Sequence, residues 1–466
     1  MTEAAYSPRR RTAVLLCGTG TAGVYQAGVL RALAEAGVKI DLVAGHGPGA
    51  ANALCAAIDG DSRLWDESGP WTNAGLRRAY RWRGALRVAA LGLFVALALL
   101  VSPLLILAVA AAFYAASLLA GLASLPNAPA WLMGLYERTF TFLFSPPIVP
   151  TIMPRAVVLA LLLVAVVLVV AAVRTTWREP SRRRFGGAFW WRLLGAPLSP
   201  GEPGGTLTAE LWKLVRGASG AQMPDREEMS RRYVDVLTEN LGQPGFREVL
   251  VAVHDIDSRR DLVGALLAES RRARFDERRL AMGPREAEIV DFSGAQRGLV
   301  VDFLSGALRL PVATAPWPVR FPTDSYWRGE LHHVCDRPEL GARLLAEIEA
   351  VGVEQVIVVS PAPAPSAPHG LRPRPASLRS RIGEHVRSVE TASMDDVCAL
   401  AARMFGGVFV IRPTHNPIGP FDFFGVYDEG SDRRRSVAEL LQQGHEDAYA
   451  AFIDPFVAAG ERLDAL

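Results

Sequence analysis

The sequence predicts an α/β fold whose sheet is interrupted by helices that cross a membrane. Three features predict it. Two apolar strands each lead through a glycine-rich turn into a helix, a charge-free stretch runs from Val88 to Tyr136, and β-branched strands resume well beyond it. Consecutive strand–turn–helix units require parallel strands with helices packed on the sheet. Half of the 466 residues are hydrophobic, only 21% are charged, and the formal net charge is +2. That composition excludes disorder, collagen and coiled coil, and the charge balance gives no footing for a nucleic-acid partner.

Thr12–Cys17 reads as the first strand and Gly18-Thr19-Gly20-Thr21-Ala22-Gly23 as its turn. Val24–Ala36 follows as a helix with Val29, Leu30 and Leu33 on one face, ended by Gly37. Ile40–Ala44 is the second strand, Gly45-His46-Gly47-Pro48-Gly49 the second turn, and Ala50–Ile58 the second helix. Beyond the charge-free region, Thr206–Val215, Arg226–Leu241, Leu299–Leu310 and Arg337–Val351 read as helices. Arg247–His254, Ala287–Asp291 and Gln355–Ser360 read as strands. The α/β domain is thus expected in two parts, 12–84 and 198–360. A proline-rich linker, 361–376, leads to an α/β extension, 377–466, packed on the domain, with a helix around Met394–Phe405, a strand Val408–Arg412 and a last helix Val437–Phe452.

The region 85–175 reads as a membrane insert. A bilayer core takes about 20 apolar residues per helix, so 156–173 is one span. The stretch 88–125 is one long span, or two short ones broken near Ser102-Pro103. Arg77, Arg78, Arg81, Arg83 and Arg87 precede the insert, and Arg174, Arg178, Arg182, Arg183 and Arg184 follow it. The positive-inside rule puts both flanks in the cytoplasm, which requires an even number of crossings, two in the simplest case and four otherwise. Trp177, Trp190 and Trp191 suit the headgroup layer. A multi-pass protein of the inner, cytoplasmic membrane is expected, with its arginines favouring anionic lipid headgroups.

GTGTAG fits the GxGxxG spacing of a dinucleotide loop, but the acid that should close the second strand instead opens it, as Asp41. Cys17, Cys55, Cys335 and Cys398 form no CxxC pair, and no His/Asp/Glu spacing matches a metal site, so neither a metal nor a cofactor is expected.

The stretch AVLLCGTGTAGVYQAGVLRALAEAGVKIDLVAGHGPGAANAL resembles the start of a patatin-like phospholipase domain of bacterial type, and REVLVAVHDID, Leu304–Val319 and GVEQVIVVSPAP are similar to its later segments. The resemblance implies a patatin-like parallel-sheet core sandwiched by helices and a lipid acyl hydrolase using a Ser/Asp dyad. It also implies that Gly18, Thr19, Gly20 and Gly23 form the oxyanion or ligand loop, and that Gly45, His46, Gly47, Pro48 and Gly49 form the nucleophile elbow. Gly47 then stands where the serine belongs, and Arg328 of Tyr326–Glu330 where the aspartate belongs. Ala22 replaces the loop's usual basic residue. A glycine offers no nucleophile, and a protonated guanidinium cannot act as a base. Pro48 has no N–H to donate.

Family-type hydrolysis is therefore expected to be lost, leaving a membrane-anchored, catalytically degenerate protein that binds lipid or serves as a scaffold for a partner protein. Two alternatives stand beside it. One is acyl-ester hydrolysis through substitute residues, for which His46, His254 and Glu330 are the candidates. The other is nucleotide binding at GxGxxG.

Overall fold

The structure is a computed structural model. It describes residues 6–457 apart from 21, 59–60, 67–68, 73–79, 124–127, 179–195, 200–202, 277–283, 312, 363–377, 414–426, 429–432 and 435. The arginines at 77–78 and 182–184, Trp190-Trp191 and most of the proline-rich linker lie outside these residues.

The chain divides into two compact units, residues 1–81 with 199–466, and residues 82–198. The first is built on one nine-stranded sheet. Strands β1 (Thr12–Leu16) and β2 (Leu42–His46) belong to it, whereas the two-residue strands β3 (Arg81–Trp82) and β4 (Leu198–Ser199) do not. It continues through β5 (Glu248–Asp255), β6 (Arg260–Leu266), β7 (Ile289–Asp291), β8 (Trp317–Arg320), β9 (Leu331–Cys335), β10 (Gln355–Val359) and β11 (Gly407–Ile411). The order is β11-β10-β1-β2-β5-β6-β7, with β9 pairing β5 and β8 pairing β9.

From β11 to β5 every neighbour is parallel. The central strands β10, β1 and β2 are runs such as QVIVV and LVAGH, buried along their whole length, as a sheet covered on both faces demands. The expectation of a parallel sheet holds only to that point. β6 and β9 run antiparallel to β5, and β8 antiparallel to β9, so the sheet is mixed. β6 returns directly after β5 through Ile256–Arg259, a connection far too short for the crossover that a parallel pair needs.

Helices flank the sheet. α1 (Ala22–Glu35) and α2 (Pro48–Ala56) follow the two glycine turns, and α3 (Asp61–Trp65) follows α2.

The second unit is helical. α4 (Gly84–Leu122) is one unbroken helix that runs through Pro103, α5 (Ala128–Leu143) is shorter, and α6 (Met153–Arg178) returns. Gly92 of α4 lies against Val164 and the Ala160 carbonyl of α6, and Tyr114 meets Tyr136 of α5 at 5.5 Å. The register shows α6 lining the first half of α4 and α5 the second. Two segments are long and apolar enough to cross a membrane, Gly84–Leu122 and Met153–Arg174. Many of their large apolar side chains point outward: Leu91, Phe94, Leu104, Leu119, Leu159 and Leu162 are all exposed.

After the second unit, α7 (Pro203–Arg216), α8 (Arg226–Asn240), α9 (Glu269–Asp276), α10 (Val300–Ala307) and α11 (Leu340–Ala350) complete the domain. α12 (Leu378–Met404) starts well before the expected Met394 and seats Met394, Val397, Ala401 and Phe405 in the main core. β12 (Tyr427–Asp428) and β13 (Arg433–Arg434) form a small antiparallel pair. α13 (Val437–Ala448) opens with a capping box between Ser436 and Glu439. It packs on α1 with backbone nearly touching backbone, since a Cβ on Gly28 would come within 1.9 Å of the Leu441 carbonyl oxygen and one on Gly444 within 2.1 Å of that of Tyr25.

Candidate active site

The carboxyl ends of β1, β2 and β10 lie together at one sheet edge, in the register Leu16↔Gly45 and Leu16↔Val359. In open α/β sheets this edge is where ligands bind. Both glycine turns emerge there.

The elbow has the geometry of a nucleophile turn without the nucleophile. β2 ends at His46, Gly47 adopts φ 57° and ψ −135°, and Pro48 begins α2. That left-handed conformation is strained for any residue with a side chain. A Cβ on Gly47 would sit 2.5 Å from the Gly18 carbonyl oxygen and 2.7 Å from Asp336 Oδ2. The glycine loop therefore turns a carbonyl toward the elbow, where an oxyanion hole must present N–H groups.

Asp336 is the acid that faces this point. It follows β9 directly, is fully buried, and aims Oδ2 at Gly47 with no hydrogen-bond partner among the described residues. Its Oδ1 meets His46 Nδ1 at 2.9 Å and accepts the Arg337 N–H at 2.9 Å. Burial opposes charge on the His46 ring, but the Asp336 carboxylate beside it prevails and pushes the imidazole up to about 10, with the Cys17 side chain adding to the effect. The Gly18 N–H is 3.5 Å from His46 Nε2, too far for a firm hydrogen bond. Burial raises the Asp336 carboxyl, and His46 and the Arg337 N–H hold it back.

The loop is braced from behind. Gln26 donates to the Cys17 carbonyl at 2.8 Å, Asn52 donates to the Gly23 carbonyl at 2.9 Å and to Gln26 Oε1 at 3.0 Å, and Trp71 Nε1 donates to Asn52 Oδ1 at 2.9 Å. Gln26, Asn52 and Trp71 are all buried, so the loop cannot drift without breaking a satisfied network. From above, Thr19 donates its hydroxyl to Glu390 Oε1 of α12 at 2.6 Å. Burial pushes Glu390 up to about 7.

Several expected positions differ. Arg328 does not stand at the acid position: it occupies the turn between β8 and β9 with φ 45°, its N–H bonded to the Ser325 carbonyl. That turn uses Gly329, at φ 81°, to reverse the hairpin, and this Arg-Gly pair imitates the spacing of an Asp-Gly motif. The substitute candidates His254 and Glu330 do not join His46. His254 Nδ1 meets Asp261 Oδ1 at 2.7 Å across β5 and β6. Glu330 reaches His332 Nε2 at 3.3 Å from an exposed position.

Asp41 accepts the Thr12 N–H at 2.9 Å at the start of β1, a strand's length (roughly 15 Å) from the glycine loop; a ribose-binding acid belongs at the other end. Sequence alone does not single out Asp336, Cys17 or Glu390. No group of three or more His, Cys, Asp or Glu that could hold a metal occurs among the described residues.

Three comparisons bear on this geometry. No curated protein matches the chain. Among solved structures it is similar to VipD from Legionella pneumophila, at 12% identity over 96% of this chain and 67% of that one, with a TM-score of 0.29. Residues 14–192 match a family model described as Patatin-like phospholipase. That segment of the chain is thus similar to a patatin-like phospholipase domain, and the matched residues include both glycine turns and both long apolar helices.

Proposed function

We propose that this protein is a membrane-anchored patatin-like module that has lost serine hydrolysis and works by binding lipid or holding a partner. The observation that carries the reading is Gly47. It keeps the strained elbow conformation, yet a carbonyl oxygen and a carboxylate fill the space a serine side chain would need. The acid of a Ser/Asp dyad survives as Asp336, but it is spent on His46. Removing a triad-type nucleophile costs orders of magnitude even where other groups remain.

The anchor is α4 with α6. Exposed apolar side chains of this density are stable against acyl chains, not water. Both ends of the insert then return to one side, and Arg81, Arg83, Arg87 and Arg174 stand at the flanks, suited to anionic headgroups. Full-length protein in detergent, given short-chain and phospholipid esters and a fluorophosphonate probe, should show neither turnover nor labelling. Flotation with vesicles containing anionic lipid should exceed flotation with neutral vesicles. Serine labelling or ester turnover at family-like rates overturns the reading.

One observation favours a second reading. The Cys17 side chain lies beside His46, which is itself held by Asp336, a thiol–imidazole–carboxylate sequence of the kind that activates a nucleophile. On that reading ester turnover persists, resists fluorophosphonate and disappears in Cys17→Ala.

A further inference from the structure

The elbow cluster has a roof. α12 is seated on the domain by the apolar contacts of Met394, Val397, Ala401 and Phe405. One turn before Met394 it directs a carboxylate inward. Glu390 is 7% exposed, and its side-chain bond to Thr19 joins two segments 371 residues apart in sequence. A buried carboxylate met by a neutral hydroxyl is costly to keep charged. A helix already anchored by four apolar residues has no packing need for such a group. Below the contact, Cys17, Gly18, Pro338, Ser360, Glu390 and Ser393 line a small cavity. Anything approaching Cys17 or His46 from this side must separate α12 from the glycine loop.

We propose that the Glu390–Thr19 contact is a proton-operated latch: with Glu390 protonated, α12 closes the former acyl site, and loss of that proton lets α12 part from the braced glycine loop beneath it. The proposal rests on the reading of this sheet edge as the acyl site and adds its regulation. The groups around Glu390 come from four elements: Thr19 on the loop, Cys17 at the end of β1, His46 at the end of β2 and Asp336 after β9. Burial acts most strongly and raises the carboxyl, Thr19 lowers it, Asp336 raises it and His46 lowers it, with the balance at about 7. An acid raised in the closed state favours closure fully below its ordinary 4.5, and that preference is lost as pH rises through about 7. His46 keeps its proton throughout this window, and since burial also raises the Asp336 carboxyl, comparison with a variant that cannot ionise at residue 390 isolates the contribution of Glu390.

The test is alkylation of Cys17 by iodoacetamide in the full chain in detergent, read peptide by peptide by mass spectrometry between pH 5.5 and 8.5. Wild type is compared with Glu390→Gln, which keeps shape and hydrogen bonding but cannot ionise. Their rate ratio at each pH cancels the thiol's own ionisation. The ratio should rise about tenfold or more between pH 5.5 and pH 8.5 and level off above pH 7. Thr19→Val, which removes the contact without changing charge, should leave Cys17 reactive at every pH. A flat ratio, or a Thr19→Val protein as protected as wild type, overturns the latch and leaves the proposed loss of hydrolysis standing. Ester turnover overturns the loss of hydrolysis and leaves the ratio untouched.

Discussion

Strand β9 holds a histidine–aspartate pair at each end, and the two are built differently. Near its start, His332 Nδ1 bonds Asp255 Oδ2, which also accepts the Ser258 hydroxyl, while Asp255 Oδ1 accepts the Asp257 N–H at 3.0 Å. The ring stacks beside Trp327 at 4.4 Å and its far nitrogen reaches Glu330. Each of these polar atoms has a partner. Just past the other end, Asp336 shares His46 through one oxygen and leaves the second bare inside the protein, with no partner among the described residues. A satisfied buried pair is joinery for β5 and β9. An orphaned carboxylate oxygen aimed at a left-handed glycine has no such structural use, and it is the feature on which the proposed loss of a serine hydroxyl at Gly47 rests.

The difference is broken most directly at Asp336. Asp336→Ala leaves His46 buried with no counter-charge, and losing one partner of a buried pair costs about 3–5 kcal/mol. Thermal unfolding of the full chain in detergent should show a larger loss for this substitution than for any change at Gly47 or Asp255. The pH dependence should change with it. His46 is raised to about 10 by its partner, so its contribution is complete below the ordinary 6.5 and is lost as pH rises through 10. The variant should lose that alkaline decline; a variant that keeps the wild-type slope would place the titration elsewhere.

Gly47→Ser comes next in size. The serine enters a conformation strained for any side chain and presses on the backbone oxygen of Gly18, which the Gln26–Asn52–Trp71 network holds in place. Strain and overpacking together cost about 2–4 kcal/mol. No esterase activity should return, because the loop still offers a carbonyl where N–H groups are needed. Recovery of fluorophosphonate labelling in this variant would mean that the loop reorganises readily, contrary to its bracing.

Much of this edge is legible in the chain. Parallel strands buried on both faces are written as unbroken apolar runs, and the two glycine turns follow them directly, so β1, β2, β5, β10 and Gly47 can be read locally. The antiparallel strands are harder. β8 is WPVR and β9 is LHHVC, each too short and too polar to stand out. The acid that faces Gly47 lies eight residues beyond Arg328 for a backbone reason: the hairpin turn needs a left-handed glycine, and Arg328-Gly329 supplies it, whereas Asp336 is followed by Arg337-Pro338 and has no glycine beside it to draw the eye. Glu390 carries no local signal, since its meaning comes from a contact with Thr19 across almost the whole sequence. Proline misleads in the same way: Pro103 suggests a break, yet α4 continues through it, with Ser102 bonding back to the Leu99 carbonyl at 2.9 Å.

The smallest effects sharpen the contrast between the two ends of β9. Aspartate to asparagine keeps size and removes charge, so its cost depends on which atoms surround the new amide. At Asp255 the amide nitrogen must face either the donors at Oδ2, Ser258 and His332, or the Asp257 N–H at Oδ1. One donor meets another in either orientation, and about 1.5–3 kcal/mol should be lost. At Asp336 the amide oxygen can keep both His46 and the Arg337 N–H while the nitrogen replaces an oxygen that had no partner among the described residues. Removing a buried carboxylate oxygen that had no partner among the described residues offsets part of the loss of the ion pair with His46, so Asp336→Asn should lose less than Asp336→Ala and less than Asp255→Asn. If instead Asp336→Asn is the more damaging of the two, the bare oxygen is an essential charge, and the elbow is a working site whose partner arrives from outside the chain.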